Sequence, residues 1–149
     1  IAHRNTGRYS DDPVADRIMV RIAADENLHM VFYRDILSAA LKLQPSAAVC
    51  AIVDEVLRFK MPGAGIPGFV RKAAQIAKAG IYDLRVHREE VLMPIIRHWK
   101  IFELTGLDAA AEEARRRLAE HLEKLDAAAR RFEERLASST TPRLSSSGG

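Results

Sequence analysis

DPVADRIMVRIAADENLHMVFYRDILSAALKLQP, residues 12–45, is the stretch that decides the fold of this chain. Asp12 is a natural N-cap, Pro13 suits the first helical position, and Asp16 favours the positive end of the helix dipole. Nothing inside the stretch breaks a helix before Leu43, and Pro45 forbids further continuation. A helix of that length spans about 45 Å at the ~1.5 Å rise per residue. That is the length of a bundle helix, and it points to an all-α fold.

The middle of this helix carries Asp25-Glu26-Asn27-Leu28-His29. Glu26 and His29 are three residues apart, so both project from one face. Glu-x-x-His is the spacing with which helix bundles hold a carboxylate-bridged pair of iron ions. Such a site takes two Glu-x-x-His pairs and a lone Glu from each of two further helices. This chain has one pair. A Glu three before a His also arises by chance in roughly every second chain of this composition, as a salt bridge on a solvated face. Helical phase argues for an inward pair. Ile18, Ile22, Tyr33, Ile36 and Ala40 fall in one stripe with Glu26 and His29, Asp25 lies at its edge, and Asn27, Met30 and Arg34 lie opposite, where exposure is expected. A carboxylate in an apolar seam needs compensation, which either an iron ion or the histidine itself would supply. Spacing and phase leave those two readings about even. Asp25 is placed to accept the second ring N–H of a metal-bound histidine on a facing helix.

The rest of the chain is helical in pattern, with no period-two strand signal. A second helix is expected over 47–59, ended by Met61-Pro62-Gly63-Ala64-Gly65, and a third over 67–79 with Gly80 as its stop. A fourth starts near Asp83 and carries Val86, Val91, Ile95 and Trp99 towards Phe102, kinked at Pro94. Thr105-Gly106 breaks the chain, and Asp108 opens a last helix to about Leu136. One domain, residues 1–137, is expected, followed by a disordered Ser/Thr/Gly tail over 138–149.

At 149 residues and 48% hydrophobic, the chain can bury one genuine core. No apolar run reaches the ~18 residues of a membrane span. The start, Ile1-Ala2-His3-Arg4-Asn5, lacks an initiator Met and a signal peptide, so the chain reads as a piece of a longer protein. The single cysteine, Cys50, excludes an internal disulfide and fits a reducing, cytoplasmic setting. A net charge of +3 is spread among acids without a recognition motif, which argues against a nucleic-acid partner. Of the other histidines, His3 sits at the end of a truncated helix, His87 in a charged, solvated turn, His98 beside Trp99, and His121 as an exposed salt-bridge partner. Met19, Met30 and Met61 read as packing residues.

Ile1-Ala2-His3-Arg4-Asn5-Thr6-Gly7 followed by Ile22 to His29 resembles the second half of the soluble acyl-acyl-carrier-protein desaturases, in particular their mycobacterial-type members. Phe59-Lys60-Met61-Pro62, Gly80-Ile81-Tyr82 and the block Trp99 to Leu107 follow in the same order. The resemblance covers about residues 1–107. The last helix matches only in character. It implies a ferritin-like bundle enclosing two irons, usually as a homodimer. With O₂ and electrons from a donor such as ferredoxin, the family places a cis double bond in an acyl chain carried on acyl carrier protein. Carried onto this chain, Glu26 and His29 match the second ligand pair, and Asp25 the acid beside it. The first pair and the lone carboxylates have no position here, so the expected fold is an incomplete, C-terminal part of the bundle, inactive alone. Phe32, Ile36 and Phe69 are candidate walls of an apolar tunnel. Arg58 and Lys60, with Arg71 and Lys72, are candidate contacts for the acidic carrier protein. The other readings are a non-catalytic helical protein with a buried Glu26–His29 pair, or another ferritin-like di-iron oxidase.

Overall fold

The computed structural model describes residues 1–140, with side chains placed through Ser138. Every regular element among these residues is helical: α1 (Ala2–Tyr9), α2 (Pro13–Leu43), α3 (Pro45–Arg58), α4 (Phe69–Lys78), α5 (Leu84–Val86), a π turn (His87–Leu92), α6 (Met93–His98), a 3₁₀ turn (Ile101–Glu103) and α7 (Ala109–Thr140). Of the expected tail, residues 138–140 complete α7, and 141–149 lie outside the described residues.

α2 has the bounds its sequence dictates. Asp12 is in an extended conformation, and its Oδ1 accepts from Val14 N at 2.7 Å and Ala15 N at 3.1 Å. Two of the orphan N–H groups of the first turn are thereby satisfied. At the other end Pro45 does more than stop α2, because it opens α3 from the N1 position, two residues ahead of the expected start. α4 starts two residues late. Gly68 takes a left-handed conformation (φ 75°) and serves as its N-cap, which places Pro67 outside the helix. Asp83 caps α5 through Val86 N at 2.8 Å.

The expected kink at Pro94 takes a specific form. Proline has no N–H and crowds the preceding turn. The chain runs through a π turn just before it, where Met93 N donates to Arg88 O, five residues back.

The core forms where α3 lies along α7. Val49, Ile52 and Val53 pack on Ala111, Ala114, Leu118 and Leu122, a helical stripe of spacing three to four, with Leu92, Ile96, Ile101 and Leu41 closing the sides. Val49, Val53, Ile101 and Leu118 are fully buried. α6 is tied to α2 by Trp99, whose Nε1 donates to Arg34 O at 3.2 Å and Ser38 Oγ at 3.1 Å. α1 lies close against α2. A Cβ at Gly7 would come within 2.8 Å of Asp16 Oδ1 and 2.9 Å of Met19 Cβ, so only glycine allows this approach. Arg4 pairs with Asp16 across the same contact.

Candidate functional site

Glu26 and His29 sit at mid-length of α2 on successive turns, and His29 Nδ1 lies 3.4 Å from Glu26 Oε2. Both are open to solvent, with side chains 57% and 70% exposed. A contact that long between exposed groups contributes little to stability. The buried salt bridge considered from sequence is therefore not what this chain forms. The two donors remain free to turn towards something else.

The seam around them is exposed as well. Ile18, Tyr33 and Ile36 face solvent, and so does Phe32 beside them, while Ile22 and Ala40 of the same stripe are half-buried. Most of the expected inward stripe thus points away from this chain's own core, although Ala40 packs against it, which corrects the phase reading in part. Of the face predicted to be outward, Asn27 and Met30 are exposed, in the wall of a cleft against α6, whereas Arg34 is half-buried and anchors Trp99. The reason is that charged and apolar residues are mixed around α2. On such a helix no single stripe marks the inside. Contiguous exposed apolar surface of this sort marks an interaction face.

Among the described residues, no three His, Cys, Asp or Glu side chains converge as a metal site. Glu26 and His29 fit iron in donor type and in spacing, but not in number. Asp25 is exposed at the edge of the seam, with Arg21 Nε at 3.6 Å. Arg58 and Lys60 are exposed at the end of α3, where Arg58 lies 3.8 Å from Asp54. Phe69 is half-buried beside Gly63.

Two clefts flank this region. One, of about 590 Å³, lies between α2 and the α5–α6 segment and is lined by Glu26, Met30, Arg34, Val91, Ile95 and Tyr82, among others. The second, of about 480 Å³, is strongly apolar and lies between α3, α4 and α7, with Phe59, Val70, Ala77, Leu125, His87 and Tyr82 in its wall. Tyr82 borders both.

His87, expected in a solvated turn, is only 7% exposed. Its ring stacks on Phe59 (centroids 4.8 Å apart, planes at 14°), and its Nδ1 is 2.8 Å from the Tyr82 hydroxyl. Burial, followed by the nearby His121, pushes its pKa down. His121 is also half-buried, and burial and then Lys124 lower its pKa. Burial and then the Asp83 charge raise the Tyr82 pKa. His87 precedes the buried Leu92 by five residues. Five residues is the span of a π-turn hydrogen bond, a spacing that a search for the 3.6-residue period passes over.

The family model described as fatty acid desaturase matches residues 1–147. The chain belongs to the fatty acid desaturase family. With this membership, the helices described above are this chain's part of the ferritin-like, all-α fold of the acyl-acyl-carrier-protein desaturases. Among these desaturases the chain is 45% identical over 133 residues to a Mycobacterium tuberculosis protein provisionally named acyl-acyl-carrier-protein desaturase DesA1, covering 89% of this chain and 39% of that relative. It is 31% identical over 146 residues to the chloroplastic stearoyl-acyl-carrier-protein 9-desaturase 1 of Oryza sativa, 91% of this chain and 38% of the relative. The corresponding stearoyl desaturase of Gossypium hirsutum is 29% identical, again over 146 residues. The chain thus spans about two-fifths of the length of the desaturases it matches. No helix among the described residues is long and apolar enough to cross a membrane.

Proposed function

We propose that this chain is the C-terminal part of an acyl-acyl-carrier-protein desaturase, in which Glu26 and His29 supply one half of the ligand set for a pair of irons. The observation that carries the reading is the position of these two donors: they stand together, unoccupied by any core contact, in the middle of an exposed apolar seam. A seam of that character gains most when covered by further apolar helices, and the relatives have more than twice this chain's length.

An unactivated C–H bond lies beyond acid–base chemistry; an iron pair held in part by Glu26 and His29 would supply, with O₂ and two electrons from a donor, the oxidising power to remove two hydrogens from neighbouring carbons. The protein residues hold and exclude. Glu26 and His29 bind from one helix face, and Asp25 orients a histidine across the interface. Ile18, Phe32, Tyr33 and Ile36 form a dry wall once covered, where an alkyl chain is positioned away from water. Arg58 and Lys60 offer positive charge to the acidic acyl carrier protein. Electrons come from a donor of the ferredoxin kind, the assembled enzyme is a homodimer, and its setting is cytoplasmic. By itself the 149-residue chain, with two donors, does not assemble the iron pair.

The test is a chimera in which residues 1–137 replace the matching segment of the Mycobacterium tuberculosis relative. Given iron, O₂, a reducing system and acyl carrier protein charged with saturated chains, the chimera should yield an acyl product two mass units lighter. A soluble chimera that binds iron and leaves every acyl chain saturated would refute the reading.

A further inference from the structure

We propose that α4 and the loop before it form a docking surface for an anionic lipid bilayer, on which the chain rests peripherally. Between Glu55 and Asp83 the sequence carries Arg58, Lys60, Arg71, Lys72 and Lys78 and no acidic residue. Arg58 lies 3.8 Å from Asp54, whereas the other four side chains have no hydrogen-bond or ion-pair partner among the described residues. The arginines of α5, the π turn and α7 differ: Arg85, Arg88, Arg115 and Arg116 each meet a carboxylate. Four uncompensated cations on one short stretch attract an anionic surface.

Local structure turns this charge outward. Arg71, Gln75 and Lys78 recur along one face of α4 with Lys72 beside them, all exposed, while Phe69, Ala73, Ala74 and Ala77 are half-buried on the other. No residue of α4 is fully buried, and the backbone hydrogen bonds of residues 60–80 are all local. Nothing else in the described chain thus competes for these cations. Charge alone would suit an acidic protein equally well; the apolar side chains favour a bilayer. Val70 is 81% exposed, Ile66 55% and Phe59 50%, and Val70 and Phe59 share the wall of one apolar cleft. Phe59 directly precedes Lys60, and Val70 directly precedes Arg71. Offered together, the cations take up lipid headgroups while the apolar side chains enter the acyl boundary beneath them. At 10 residues α4 has half the length of a ~20-residue span, so the contact is interfacial.

The test is co-sedimentation of the 149-residue chain with vesicles of phosphatidylcholine alone and of equimolar phosphatidylcholine and phosphatidylglycerol. Binding should be far stronger on the anionic vesicles and should weaken as salt is raised. Each cation near such a surface contributes about fivefold, so Arg71→Gln, Lys72→Gln and Lys78→Gln combined should weaken binding roughly hundredfold, with helicity unchanged. Val70→Ser leaves every cation in place and should weaken it severalfold. The exposed seam of α2 is the same in all these variants, so the differences between them belong to α4. Equal binding to both kinds of vesicle, no binding to either, or unchanged vesicle affinity in the triple variant would overturn the proposal. A triple variant that loses affinity for acyl carrier protein and keeps its vesicle binding would assign the cations to that protein and overturn it too. Neither iron nor an acyl substrate enters the measurement, so its failure is distinguishable from a failure of the desaturase chimera.

Discussion

Shaving the exposed seam should cost this chain almost nothing, while the same change in the core should cost a large share of its stability. Leu118 is fully buried between α3 and α7. Leu118→Ala removes buried methyl groups and leaves a cavity, for an expected loss of about 3 kcal/mol within the usual ~2–5 range. Ile18 and Ile36 are 52% and 48% exposed. Each keeps only about half of the ~1.5–3 kcal/mol that full burial of such a side chain gives. Alanine returns roughly half a kcal/mol of helix propensity at these α2 positions. Ile18→Ala and Ile36→Ala should therefore each lie within about 1 kcal/mol of the parent. Urea denaturation of the 149-residue chain, followed by far-ultraviolet circular dichroism at low micromolar concentration, reads all three. With a slope of about 2 kcal/mol/M, Leu118→Ala shifts the midpoint by roughly 1.5 M and the seam variants by less than about 0.5 M. If Ile18→Ala or Ile36→Ala lowered the midpoint as far as Leu118→Ala, the seam would be covered within this chain, and the argument from its exposure would fail.

Two further outcomes follow from the site and its surroundings. The His87 pKa is lowered from its ordinary 6.5 by burial, so the unfolded chain takes up the proton first. Stability should therefore be intact above pH ~6.5 and decline as the pH falls through the lower, folded-state pKa, with His121 adding in the same direction. Urea midpoints between about pH 7.5 and 5 should show that decline, and His87→Gln should flatten it; a midpoint that rises on acidification contradicts the burial argument. Reversing Arg58 and Lys60 to Glu in the chimera should weaken binding to acyl carrier protein at least tenfold at low salt, since both side chains are exposed at one end of α3. Unchanged affinity by calorimetry would remove these two residues from the docking surface.

The parts of the fold set by local chemistry were legible in the sequence. Asp12-Pro13 and Pro45 bound α2 because caps and prolines act on the residues next to them. The desaturase family was legible too, from ordered blocks such as Trp99 to Leu107. The inward face of α2 was not, because charged and apolar residues are mixed around that helix and leave little contrast from which to read direction. His87 was missed for a different reason. Its neighbours Arg88, Glu89 and Glu90 suggest a solvated turn, whereas the histidine, at the start of the π turn, is buried against Phe59 and Tyr82.

The central claim is that Glu26 and His29 are iron ligands, and the iron content of the chimera tests it most directly. The account predicts two irons per chain in the parent chimera and loss of bound iron when Glu26→Gln and His29→Ala are combined, with helicity unchanged. Full iron content in that double variant would contradict it.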